Sequence, residues 1–381
     1  MACPYVAGVA ALWISKHGGR SVHGNGFSKQ LHQRIISSGV AVPFYDGTLT
    51  NFGYPAPVAQ VGNGLVNAYK IVHYDTRLEF NKQTLNDTRY FNRYHDVTII
   101  NEGKTTIDYT WGVEHSGGIE AIGTYAGVRR LKRFAEIRPL KLEAKVTLPR
   151  SFRLKPGEKK TVTVNFDNPD KLGWNAAGLP VYGGKVLLSA SNGERLSVPF
   201  YGVGADLRAQ LNPLSERGYP LAVSGTQDTP ITQKASFSFD LSLEAQDFVK
   251  VYSKLLWGSR EIRFDVYQAG WKERDWKYPP VIGENGYVGT ATSWAGANSL
   301  PVFDPTVYDP EETFSFPIRD TYRNVVDPTR YFWFGKLGNG TQIANGKYHI
   351  RFAALKPYGN PKASDNWEIY RTPEIEVTGQ Y

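Results

Sequence analysis

Apolar and small residues alternate in blocks at the start of the chain. Val6, Val9, Leu12 and Trp13 supply bulk among Ala2, Ala7, Gly8, Ala10 and Ala11, a texture that predicts a helix lying close against a neighbouring layer. Pro4 fits in a first helical turn, where its missing N–H costs nothing. A second helix is predicted over 28–36, with Leu31 and Ile35 on one side, Gln33 and Arg34 on the other, and a stop at Ser37-Ser38-Gly39. From about Thr76 the period shortens to two, and β-branched and aromatic residues alternate between Gly, Pro and Asn, the signature of a β-sandwich. A strand over 96–103 and its neighbour over 106–113 read as partners. Val162, Val164 and Phe166 point to one face of another strand, and 185–190 with 195–201 form a hairpin about Ser191-Asn192-Gly193-Glu194. Residues 206–232 hold Asn212-Pro213, Tyr219-Pro220, Ser224-Gly225 and Asp228-Thr229-Pro230, a linker or irregular crossing. Alternation then resumes at Phe237, Phe239, Leu241 and Leu243, at Ile262, Phe264 and Val266, and at Tyr348, Ile350, Phe352 and Ala354, whereas 271–294 has few strand cues.

Composition narrows the picture only a little. With 41% apolar residues over 381 positions and no apolar run near twenty, the chain is expected to be globular, with no membrane span. A single cysteine, Cys3, excludes an internal disulfide, and its place on the first helix predicts a packing role. Asn86-Asp87-Thr88 and Asn339-Gly340-Thr341 are acceptor motifs for N-glycosylation at Asn86 and Asn339, consistent with an extracellular location.

The run Met1-Ala2-Cys3-Pro4-Tyr5-Val6-Ala7-Gly8-Val9-Ala10 resembles the segment just after the catalytic serine in the subtilisin-like serine proteases (subtilases). Val61-Gly62-Asn63-Gly64-Leu65-Val66-Asn67-Ala68 resembles the stretch that leads into the last helix of that catalytic domain. The strand pattern that follows is similar to the fibronectin type III-like domain of large multidomain members, and 338–352 to a later immunoglobulin-like module. The resemblance implies a mainly β chain: two tandem immunoglobulin/fibronectin III-like β-sandwiches over 77–205 and 233–381, preceded at 1–76 by a helical remnant of an α/β subtilase catalytic domain. It implies the C-terminal fragment of a secreted endopeptidase acting on protein or peptide substrates, with Met1, Ala2, Pro4, Val6, Ala7 and Gly8 as the nucleophile-helix motif and the serine upstream of Met1. Without a placeable Asp, His or Ser, this chain is expected to be inactive, and 1–76 to pack poorly without the parallel sheet it would have covered. An ordinary Ala-rich helix is the plainer reading of the first dozen residues, and a secretory signal lacks its basic leading segment.

No other catalytic signature stands out. His23 follows the serine position and is a polar loop residue, there is no Gly-x-Ser-x-Gly or His-Glu-x-x-His, and no metal or cofactor is assigned. Asp304, Asp309, Glu311 and Glu312 match no calcium loop. Arg129-Arg130-Leu131-Lys132-Arg133, with Arg138, Lys141 and Lys145, supplies much of the +8 net charge. It suits a cell-wall polymer in a noncatalytic adhesive or docking module, or else a solvated strand edge guarded by charge; no nucleic-acid module accompanies it. Trp271, Trp276 and Tyr278 either stack a sugar or anchor their loop.

Overall fold

The computed structural model describes residues 2–48, 50–298, 303–324 and 326–379, and the chain is mainly β. It divides into two compact units, Met1–Gln210 and Leu211–Tyr381.

In the first unit two sheets face one another. One orders Thr76–Phe80, Tyr94–Asn101, Lys159–Phe166 and Val146–Thr147; the other orders Gln83–Thr84, Arg195–Val203, Pro180–Ala190, Ile107–His115 and Phe152–Leu154. Inward positions alternate as a period of two requires: Val97 and Ile99, Val164 and Phe166, Val186 and Leu188, Val198 and Phe200 are all buried in one core. The hairpin about 191–194 forms, with Ser189 opposite Arg195. The strand pair expected from 96–103 and 106–113 does not. Tyr94–Asn101 pairs with Thr76–Phe80 and Lys159–Phe166, whereas Ile107–His115 pairs with Pro180–Ala190 in the opposite sheet. Asn101 turns the chain across the sandwich, its amide donating to Thr105 O and Leu154 O and its Oδ1 accepting from Gly103 N–H.

The helices Ala2–His17, Phe27–Ser37 and Ala68–His73 gather Val9, Trp13, Leu31 and Ile71 into a small cluster of their own. They are not a remnant waiting for a missing parallel sheet, which corrects that expectation. Gln33 Nε2 donates to Phe80 O at 2.7 Å, Arg34 donates to Tyr74 O and bridges to Glu102 at 2.6 Å, and Asn63 Nδ2 donates to Ser197 Oγ at 2.9 Å. The outer face of the antiparallel sheet takes the place the parallel one would have had. The first helix is apolar all round, so only one side is covered, and Tyr5 and Leu12 remain more than half exposed.

Among the described residues the second unit winds twelve strands into one continuous, curled sheet. Its main path runs Thr229–Pro230, Leu221–Ser224, Val249–Ser253, Thr329–Leu337, Tyr287–Trp294, Ser259–Gln268, Gly346–Leu355, Ile375–Val377 and Ser236–Phe237. Register shifts at Val266/Tyr267 and between Ala291 and Ser293 supply local bends, as β-bulges do. Ile262, Phe264, Val266, Ile350 and Phe352 are buried as their alternation predicts. The run from Phe237 to Leu243 yields only the two-residue strand Ser236–Phe237, because Phe239 adopts a positive φ of 59° and Leu243 turns out to solvent. Tyr287–Trp294 is a central strand despite its weak cues.

Candidate functional site

Met1 lies outside the described residues; Ala2, Pro4, Ala7 and Gly8 are exposed and Val6 is half-buried. Cys3 is exposed rather than packed. His23 Nε2 meets His17 O at 2.9 Å and its ring lies against Trp13. Asn86 and Asn339 are both exposed, Asn86 with its amide donating to Tyr90 O and Asn339 on the turn after Thr329–Leu337.

The basic stretch is engaged internally. It forms the hairpin Ile122–Tyr125 and Val128–Leu131. Arg130 pairs with Glu136 at 2.7 Å and Lys132 with Glu120 at 3.4 Å, while Arg129 donates to Ala177 O and Gln210 O. Glu136 is held down to about 2 by its hydrogen bond from Arg130 and by the Arg133 backbone N–H. With these charges already matched, the cell-wall polymer expected there has no support. Among the described residues no group of three or more His, Cys, Asp and Glu side chains could hold a metal, and Asp304 and Asp309 accept hydrogen bonds from their own turns.

The arrangement with chemical potential lies where the helical segment meets the outer sheet of the first unit. Gly39 and Gly64 let two loops cross in contact: a Cβ on Gly39 would stand 2.1 Å from Asn63 O, and one on Gly64, whose φ is +89°, 2.0 Å from Val40 O. That crossing, sealed by paired hydrogen bonds between Val40 and Leu65, lays Asn63 on the sheet. Lys185, on the outer face of Pro180–Ala190, is then only 6% exposed, and its Nζ donates to Asn63 O at 2.8 Å. An ammonium has three donors. The other two find no protein acceptor among the described residues, and no carboxylate comes within ion-pair distance.

Lys185 shares a cavity of about 310 Å³ with Lys70, Arg195 and Glu114, walled by Val40, Leu187 and Leu196. Burial holds the Lys185 ammonium below the ordinary lysine range; Glu114 opposes that and Lys70 adds to it. Burial lowers Lys70 as well, with Arg195 acting in the same sense. Three cations against one carboxylate in a partly desolvated cavity give a positive field in which an oxyanion would be bound more strongly than in water. Sequence reading missed this group because Lys185 alternates with Val186 and Leu188 as a solvent-facing strand residue does. Only the covering loop, tied down through Gly62-Asn63-Gly64, buries it. What the motif does signal is the close crossing itself.

No family model and no curated protein matches the chain. Among solved structures, the chain is similar to the CupB2 chaperone of Pseudomonas aeruginosa at 8% identity, over 77% of this chain and 98% of that one, with a TM-score of 0.20. It is similar to the class 5 fimbrial chaperone CfaA at 10% identity, over 78% and 99%, with a TM-score of 0.22. It is also similar to a PapD-like domain of human CEP192 at 10% identity, over 33% and 83%, with a TM-score of 0.22. At such TM-scores the likeness carries no argument about this chain's function. The subtilase reading is corrected here: no family model of that kind matches, and the opening helix packs with Phe27–Ser37 and Ala68–His73 beside antiparallel-paired sandwich strands, not on the parallel sheet of such a domain. The endopeptidase-fragment function falls with it. No helix among the described residues is long and apolar enough to cross a membrane.

Proposed function

We propose that this chain is a binding protein whose first unit, a β-sandwich of immunoglobulin or fibronectin III type, captures a ligand through an oxyanion, a carboxylate or a phosphate. The observation that carries this is Lys185: a sunken ammonium with two open donors, facing a cavity shared with Lys70 and Arg195. A hydrogen bond from an ammonium to a ligand oxyanion contributes about 1.5–3 kcal/mol, and the partly buried cavity screens it less than bulk water does. The apolar walls fit the carbon skeleton next to such a group, and Glu114 disfavours a second negative charge on that side.

Titration calorimetry with sodium phosphate and with sodium acetate tests this on the full chain. Saturable binding of at least one probe is expected, abolished by Lys185→Met and weakened on the order of tenfold by Lys70→Gln or Arg195→Gln, each of which removes about one charge-assisted contact. The last two side chains are partly or fully exposed, so their replacement leaves the fold intact. Binding of neither probe to the native protein, or equal binding by all three variants, sinks the reading. Since only protonated lysine attracts the anion, affinity should fall as pH rises, beginning below the ordinary lysine value of 10.5.

An extracellular location is part of the same proposal, with Asn86 and Asn339 as carbohydrate acceptors. Mass spectrometry of the protein secreted from a eukaryotic host, before and after enzymatic deglycosylation, checks it; an unchanged mass at both sites argues against it.

A further inference from the structure

The Trp-rich segment of the second unit offers no ligand platform. Trp271 and Trp276 are buried core residues with the Arg371 and Arg351 guanidinium groups over their rings, and the Tyr278 hydroxyl donates to Glu261 at 2.9 Å, so these aromatics anchor their loop rather than stack a sugar.

Two lysines are buried among the described residues, and their partners differ. Lys250, in the second unit, is matched by Asp228 at 2.6 Å. Lys185 has no carboxylate within ion-pair distance. Its one acceptor is Asn63 O at 2.8 Å, a neutral carbonyl that takes an N–H from an amine as well as from an ammonium. A nitrogen held by a single N–H in this way keeps its lone pair for the cavity.

The surroundings of Lys185 favour that neutral amine. Burial holds its ammonium below the ordinary lysine range, with Glu114 opposing and Lys70 adding. A desolvated lysine beside further cations is the arrangement that turns this side chain into a nucleophile, and Lys70 and Arg195 line the same cavity. Glu114 stands directly opposite Lys185 in the pairing of Ile107–His115 with Pro180–Ala190 and carries no ion pair among the described residues. Side chains so placed share one face with their Cβ atoms about 4.5–5.5 Å apart, so carboxylate and amine form one wall of the cavity. The space, about 310 Å³, admits a molecule of several heavy atoms, since one water needs roughly 10–15 Å³ on that measure.

We propose that Lys185 captures a 2-oxo carboxylate in this cavity as a reversible imine, with the carboxylate held by Lys70 and Arg195 and the carbonyl carbon at the Lys185 nitrogen. This deepens the oxyanion reading of the same cavity and rests on it. The Lys185 lone pair adds to the carbonyl carbon as the C=O π pair moves to oxygen. The two protons that nitrogen sheds pass by way of the Glu114 carboxylate to that oxygen, which leaves as water. One amine and one carbonyl thus become one imine and one water, with no change of oxidation state.

The test incubates the full chain with pyruvate and sodium cyanoborohydride, which reduces an imine to a stable secondary amine, and locates the modified lysines by peptide mass spectrometry. Lys185 is expected to gain the carboxyethyl group at least tenfold faster than the exposed Lys82 and Lys104, and the matched Lys250 to stay unlabelled. Acetaldehyde, a carbonyl without the carboxylate, should show no such preference for Lys185. Arg195→Gln, at an exposed position, should reduce the preference for pyruvate several-fold, and excess acetate should compete with it. Labelling of Lys185 no faster than that of the surface lysines, or an equal preference with acetaldehyde, overturns the proposal. If acetate or phosphate binds while pyruvate leaves Lys185 unlabelled, the imine alone falls; if neither anion binds, the oxyanion reading falls and the imine with it.

Discussion

His95 and His115 sit at the rim of the first core, their rings edge-on to Phe166 and Phe200. Burial holds both imidazoles below their ordinary value of 6.5, partly offset at His95 by the Asn92 carbonyl and Asp96 and at His115 by Glu143. Unfolded, each takes a proton near 6.5; folded, only at lower pH. The unfolded chain thus binds more protons across that window, and stability is full above 6.5 and falls as pH drops through the lowered values. Thermal unfolding at about pH 7.5 and about pH 5 is expected to show a lower midpoint for the first unit in acid, with part of the difference removed by His115→Phe. An identical pH response in that variant would acquit His115. In the core itself Phe200 is fully buried against Phe166, and Phe200→Ala should cost about 3–5 kcal/mol in denaturant unfolding, with little change of slope.

At the scale of elements, the helical segment is held by a few polar ties rather than by a broad apolar face. Arg34 with Glu102, Gln33 with Phe80 O, and Asn63 with Ser197 and Lys185 do most of the fastening, and the carboxylate of Glu194 accepts Asp75 N–H and Thr76 N–H where the segment enters the sandwich. Such ties depend on the close loop crossing. Gly64→Ala introduces both an unfavourable φ and an overlap with Val40 O, so it should part the loops and expose Lys185. Amide exchange at Val40 and Leu65 should speed up by at least tenfold, and limited proteolysis should cut within 1–75 in the variant before it cuts the native chain. Unaltered exchange would mean that the crossing relaxes at no cost.

For the whole molecule, each unit owns a separate buried core, one built on Val97, Phe166 and Phe200 and the other on Phe264, Trp333 and Phe352. Pieces 1–210 and 211–381, expressed apart, are each expected to unfold cooperatively. A piece without a cooperative transition would show that its core is incomplete.

Strand identity was legible wherever alternation was strong. Val162-Val164-Phe166, Ile262-Phe264-Val266 and the hairpin about 191–194 follow from side-chain period and turn chemistry, which are local. Pairing was not, because the pleat says which face a residue occupies but nothing about which strand lies beside it; Ile107–His115 joined the opposite sheet for that reason. The local likeness of two short segments to the subtilases likewise gave no information on what those helices pack against. The candidate cavity arose in the same way. Lys185 reads as an exposed strand residue and acquires its chemistry only when a distant loop covers it. Burial of a charge depends on the neighbours that the fold supplies, so sequence determined the strands and the tertiary structure decided the site.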